Sequence, residues 1–352
     1  IVFFVFLALS FISLDKSFPQ KNIYLYFFIV LVLFVGLRFA SHDYSSYQGI
    51  YQSIDSFSGF GLFNYHPSDG TRPIESLYAL FTLLVKGVGA NYEVFLFTFA
   101  MVSVGIKFYA IKKMSNFIFL SLLLYVGMWM GKDLGRSGLA SALILLSILY
   151  LHERKLLTFN FAVLSATLIH FLAGLGFFIY LIRYFNRNGL MWVVLIVALF
   201  VAFWGGIGRQ LASIIYSLTG DERLIIYIHT DYADSIRILS GTFLIHFFIS
   251  IFSLYFYGRL KAINIYNTYL VPIYIYSFSF MCFFLDYGII AYRISDMFIL
   301  PASVVLIPSF ILLFKPNSRF LAYLIWALYS MLAFYSYVDL NLPYQSIIFS
   351  YN

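Results

Sequence analysis

The chain has 352 residues, of which 62% are hydrophobic and 11% charged, whereas soluble domains carry about 25% charged residues. That balance excludes a soluble enzyme and describes an integral membrane protein, with apolar runs too long and unpunctuated for barrel strands. The net charge of +7 is no nucleic-acid signal, because the basic residues fall in small groups between apolar runs, and the single cysteine, Cys282, can form no intrachain disulfide.

The first run, 1–14, has no basic region ahead of it and reads as a first helix rather than a cleavable signal peptide. Further apolar runs follow at about 23–39, 74–86, 93–111, 117–131, 134–151, 157–184, 190–204, 238–257, 268–285, 297–314 and 319–335, to be set against the roughly 20 residues of a simple spanning helix. Forty-two Phe and 30 Tyr suit lipid-facing and interfacial surfaces. The expected fold is an all-α integral membrane protein, one polytopic domain over 1–352, with external loops at 40–73 and 205–237.

Basic residues in short loops mark the cytoplasmic side. Six pairs recur along the chain: Lys16 and Lys21, Lys112 and Lys113, Arg154 and Lys155, Arg183 and Arg187, Arg259 and Lys261, Lys315 and Arg319. With all six inside, the inner loops hold 12 basic and 2 acidic residues, leaving 10 basic and 13 acidic elsewhere. Two consequences follow. The run 74–86 must be a half-helix or interfacial helix on the outer side. The run 157–184, with basic residues at both ends, must turn back on itself, with His170, Gly174 and Gly176 near the tip. The expected total is about 12 transmembrane helices plus one partial or interfacial element.

Four segments then collect at the outer face. The first, 37–75, holds Arg38, His42, Asp43, Tyr44, Tyr47, Arg72 and Glu75. The second is the charged knot of Lys132, Asp133 and Arg136, joined by His170 from the next hairpin. The third, 205–237, contains Arg209 and Arg223, with a short interfacial helix expected at 211–218. The fourth, 286–296, contains Arg293 and Asp296, three apart and so on one face if a helix begins there.

Arg136 opens a helix, where the dipole favours anions over cations. An arginine beside free helix N–H groups makes sense when both point at a phosphate or diphosphate. The competing reading for any one of these arginines is plain interfacial anchoring. His170 reads equally as a satisfied buried histidine or as a ligand-contacting, proton-transferring one. No His or Cys spacing resembles a metal site, and there is no Walker A loop or dinucleotide fingerprint. No cofactor is expected, and a metal held by Asp43, Glu75 or Asp296 stays open with nothing in the spacing that argues for it. Arginines could neutralise a diphosphate leaving group, tyrosines and Trp129 could stack on sugars, and a carboxylate or His could deprotonate an acceptor hydroxyl. The residues alone allow glycosyl transfer, phosphate hydrolysis or transport alike.

The ordered motifs GLRFASHDYSSY, RPIESLYALFTLL, GRSGLASALILLSILYLHERK, ATLIHFLAGLGFF and AYRISDMFIL resemble those of the EpsG/Wzy class of polysaccharide (O-antigen) polymerases, over roughly 35–300. The chain departs from that pattern at Ser41, Ser137 and Leu172, where the class has Gly, Gln and Ser. The resemblance implies an inner-membrane glycosyltransferase, similar to the C superfamily, whose active site faces the periplasm. It would transfer a glycan from undecaprenyl diphosphate to the non-reducing end of another lipid-linked repeat unit. Its partners would be those donor and acceptor lipids, the surrounding membrane lipid and a chain-length regulator of the polysaccharide co-polymerase type, with no nucleic acid. Within that resemblance Arg136 and Arg293 would clamp the donor diphosphate, and Arg38 would shape the cavity or hold a second diphosphate. Asp43 or His170 would be the base, and Glu75 would orient sugar or Arg38. Tyr44, Tyr47, Arg72, Arg209, Arg223 and Asp296 would line the substrate. The alternatives are an O-antigen ligase, which shares the physical outline, and a flippase for the same lipid-linked glycan, which should show paired repeats or interrupted helices.

Overall fold

The computed structural model of the chain describes residues 2–12, 20–37, 44–68, 70, 73–130, 135–219 and 235–339. These are almost entirely α-helical, as a bilayer requires of a chain that must satisfy its backbone internally. Three helices, Tyr92–Met114, Gly288–Ile311 and Pro316–Ser336, are long and apolar enough to cross a membrane, or up to five if each of two sharply bent pairs counts as one span. The other apolar helices have 10–17 residues. The protein is a multi-pass helical membrane protein. Large apolar side chains such as Phe161, Phe200, Trp204, Phe248 and Phe320 stand on its surface, where lipid rather than water is the fitting solvent.

The chain falls into two compact units, 1–176 with 307–352, and 177–306. The first contains α1 (Val2–Ile12), α2 (Gln20–Gly36), α3 (Tyr44–Ser53), a two-stranded hairpin of β1 (Asn64–Tyr65) and β2 (Ile74–Glu75), and α4 (Ser76–Gly87). It continues through α5 (Tyr92–Met114), α6 (Ile118–Met128), α7 (Arg136–His152) and α8 (Leu156–Thr167). The antiparallel pair is in register Asn64 to Glu75 and Tyr65 to Ile74.

Local chemistry sets these boundaries. Asn91 caps α5 by accepting from the Val94 N–H at 3.1 Å, with Glu93 in the first turn and Lys112 and Lys113 in the last, all favourable to the helix dipole. At 23 residues α5 is about 35 Å long, enough for a hydrocarbon core of about 30 Å. The run 74–86 becomes β2 followed by the 12-residue α4, about 18 Å long and too short to cross.

The run 157–184 does turn back. α8 stops at Thr167, His170 N–H donates to the Ala166 carbonyl, and a 3-10 helix, Phe171–Phe178, returns along it. The return is tight: a Cβ at Gly176 would lie 2.5 Å from Ile144 Cδ1 and 3.2 Å from Val163 Cγ1.

The second unit contains α9 (Ile179–Phe185), α10 (Asn188–Phe203), α11 (Gly208–Thr219), α12 (Gly241–Tyr255), α13 (Tyr257–Ile263), α14 (Asn267–Phe283) and α15 (Gly288–Ile294). α11 is bent 95° from α10 and covers the 211–218 stretch expected to form a short helix. After α15 a π-helical turn, Ser295–Ile299, leads without a break into α16 (Leu300–Ile311), whose end returns to the first unit. There α17 (Arg319–Asp339) packs on α6, with Ser330 Oγ donating to the Leu123 carbonyl at 2.6 Å.

Candidate functional site

The site grows from the junction of β2 and α4. Glu75 is the last residue of the strand and Ser76 the first of the helix. Ser76 N–H donates to the Phe63 carbonyl at 3.1 Å, and its hydroxyl to the Leu62 carbonyl at 3.0 Å. Leu77 N–H donates to the Leu168 carbonyl at 2.9 Å, tying the start of α4 to the end of α8. Glu75 thus has a fixed backbone on both sides.

Its carboxylate makes two contacts. Oε2 is ion-paired with Nη1 of Arg136, and Oε1 accepts from the Phe171 N–H at 3.4 Å, next to His170. The two side chains are 15% and 23% exposed, so the pair keeps an opening to its surroundings. The Arg136 guanidinium lies 5.9 Å from the ring centroid of Tyr47 and 5.7 Å from that of Tyr78, within cation–π range. Its Nε is buried and makes no hydrogen bond among the described residues.

Arg136 is the first residue of α7, behind the extended N-cap Gly135, which supplies no side-chain cap. A Cβ on Gly135 would sit 3.0 Å from the Tyr47 hydroxyl. The first turn of α7 therefore meets α3 closely, beside a guanidinium and helix-start amides that have no side-chain cap among the described residues. This is the chemistry that holds anionic oxygens.

Behind the pair stands an aromatic wall. Tyr78 is buried against Phe95 and Phe99, while Tyr44 meets the Tyr92 ring edge to face and Tyr51 meets it at a tilt. Tyr44 also donates to Glu93 Oε1 at 3.5 Å, and burial together with that carboxylate pushes its phenol pKa up. Farther out, the hydroxyls of Ser68 and Tyr65 donate to Asp55 at 2.7 and 3.1 Å and hold its carboxyl below the usual range.

Of the residues expected at the site, Glu75, Arg136 and Tyr47 meet in the first unit, with half-buried His170 at the turn that delivers the Phe171 N–H. Glu75 orients Arg136, whereas the sequence pointed to sugar or Arg38 as its partner. Arg38, Asp43, Arg72 and Arg223 lie outside the described residues, as do His42, Lys132 and Asp133. Trp129 does not face a sugar: its side chain is fully buried and its indole N–H donates to Ser141 Oγ at 3.2 Å. Tyr78, three residues after Glu75, is a site residue that the motifs do not single out, and its spacing from Glu75 on the short helix is the signal that points to it.

The second unit holds Arg209, Arg293 and Asp296. Asp286 caps α11, accepting from Gly208 N–H at 2.7 Å and Arg209 N–H at 3.0 Å, while its carbonyl accepts from Arg209 Nε at 2.9 Å. A carboxylate thus already occupies the amides that a phosphate would use at that terminus. Arg293 is exposed near the end of α15 and Asp296 half-buried in the π-helical turn, a kind of irregularity frequent at functional positions. Among the described residues no group of three or more His, Cys, Asp or Glu could hold a metal ion.

No curated protein and no solved structure matches the chain. The model of the EpsG family matches residues 21–348, nearly the whole length, and agrees with the resemblance carried by the motifs around Glu75, Arg136 and His170. The chain belongs to the EpsG family.

Proposed function

We propose that the protein is a polysaccharide polymerase that extends a lipid-linked glycan on the outer, periplasmic face of the bacterial inner membrane. Family membership and the multi-helical membrane architecture support a polymerase-type role in general. The observation that carries the finer reading is the Glu75–Arg136 pair at the start of α7, within cation–π range of two tyrosines. About twelve crossings and a likeness to the glycosyltransferase C superfamily belong to the same proposal, resting on the basic-loop pattern and the motif order.

In this reading the donor is an undecaprenyl-diphosphate-linked oligosaccharide. Arg136 and the first amides of α7 take the diphosphate oxygens, while the motif order alone assigns Arg293 the part of a second cation and Arg38 that of shaping the cavity. The acceptor hydroxyl oxygen attacks the anomeric carbon, the bond from that carbon to the diphosphate oxygen breaks, and the lipid diphosphate leaves with the bonding pair. Asp43 or His170 takes the hydroxyl proton. Glu75 holds the guanidinium in place before the donor arrives, which limits reorganisation during reaction. Tyr44, Tyr47, Arg72, Arg209, Arg223 and Asp296 line the path of the sugars.

Deleting the gene tests the class of activity. A polymerase mutant carries single repeat units on its surface lipid. Accumulated lipid-linked polymer would instead mark a ligase, and loss of all surface units a flippase.

A further inference from the structure

α5 carries a lysine inside a helix apolar and long enough to cross a membrane, and its side chain is fully buried. Lys107 Nζ donates to Ser103 Oγ at 3.1 Å and lies 4.3 Å from the ring centroid of Trp129 and 5.3 Å from that of Tyr125. The two rings stand edge to face. A buried cation at membrane depth is costly, and methionine would fill similar space without a charge.

What the ammonium grips leads to the site. Trp129 ends α6, its backbone N–H bonded to the Tyr125 carbonyl at 2.9 Å. Its indole N–H donates to Ser141 Oγ at 3.2 Å, and that hydroxyl donates to the Gly138 carbonyl at 3.0 Å. Gly138 N–H closes the first turn of α7 on the Gly135 carbonyl at 2.9 Å. Arg136 lies between the two glycines. One line of contacts therefore runs from Lys107 through Trp129 and Ser141 to the backbone that presents Arg136.

We propose that Lys107 is a positioning residue for the Arg136 site, holding the Trp129 indole in the orientation that fixes the first turn of α7. The inference rests on the reading of Arg136 as a diphosphate ligand. Lys107 touches no substrate and acts through Trp129, so its removal shifts Arg136 rather than removing a reacting group. A displacement of about 1 Å at a positioned group can lower turnover by about 100-fold.

The test uses the full-length protein in lipid nanodiscs, with Lys107→Met, Trp129→Phe and the double variant. kcat should fall by about 10- to 100-fold in each single variant, with little change in KM for the lipid-linked acceptor, and the double variant should fall no further. Thermal stability of Lys107→Met should hold or rise, since a well-packed apolar replacement removes a buried charge. Additive losses, or losses that track a falling melting temperature, would overturn the proposal.

A second readout needs no activity. In a Cys282→Ala background, Ser137→Cys should react with a thiol probe about fivefold faster when Lys107→Met is added, as the first turn loosens. An unchanged rate sinks the positioning role even if the enzyme polymerises. A raised rate in a protein that forms no polymer keeps the positioning role and refutes the polymerase reading instead.

Discussion

Glu75 and Arg136 stand 61 residues apart in the chain and meet as an ion pair joining the end of β2 to the first residue of α7. The carboxylate also accepts from the Phe171 N–H, so three segments converge on one side chain. An arginine held this way is oriented before any substrate arrives.

Arg136→Ala should reduce polymer formation by about 100- to 1000-fold, the usual cost of losing one preorganised electrostatic donor. Arg136→Lys should recover only part of it, because an ammonium lacks the planar fork that matches phosphate oxygens. Surface glycan ladders from complemented deletion strains, normalised to protein in the membrane fraction, measure both.

The pair also makes a stability prediction. Glu75→Ala leaves a mostly buried guanidinium without its carboxylate and should cost about 1–3 kcal/mol. Reversing both residues, Glu75→Arg with Arg136→Glu, should recover thermal stability in detergent while activity stays lost, because the cation has left the start of α7. Recovery of both properties would mean that the pair matters only for packing.

Helix contacts give a sharper contrast. A Cβ on Gly127 would collide with the carbonyl oxygen and hydroxyl of Ser330, so Gly127→Ala must push α17 away from α6 and should destabilise by about 1–3 kcal/mol. Gly49 in α3 has nothing within 4 Å of its missing Cβ. Gly49→Ala should be neutral or stabilising by about 0.5–1 kcal/mol. Thermal unfolding of the two variants side by side checks the difference.

Asp55 makes the β1–β2 hairpin segment pH-dependent. Its folded-state carboxyl is held below the unfolded value of about 3.9. Its contribution is therefore present above that value and is lost as pH falls through the lower, folded pKa. Asp55→Asn should raise hydrogen exchange across 54–75 at neutral pH. On acidification the wild type should converge on the variant, and equal exchange at every pH would refute the role.

The parts of the site that were legible in the sequence are those where charge interrupts an apolar run. Arg136 at a helix start and Glu75 before a short helix stand out on that ground, and the fold-back near His170 follows from basic residues at both ends of one run. Their pairing was not legible, since it depends on long-range contacts such as the Leu77–Leu168 backbone bond and the bond from Phe171 N–H to Glu75, which no local pattern announces. Trp129, beside a charged knot, reads as an aromatic that could stack on sugars, yet its neighbours Lys107 and Ser141 come from other helices and enclose it. Lys107 was hidden by the apolar average of its own span. Helix lengths escaped for a similar reason: apolar runs show where helices lie, while the residue at which each helix stops and the size of a bend, such as the 95° between α10 and α11, depend on packing.

The most direct measurement is incubation of the purified protein in nanodiscs with undecaprenyl-diphosphate-linked repeat units and no nucleotide sugar. A ladder of lipid-linked glycans of increasing length, absent with Arg136→Ala, is the expected result. Unextended repeat units after incubation with folded wild-type protein would contradict the account.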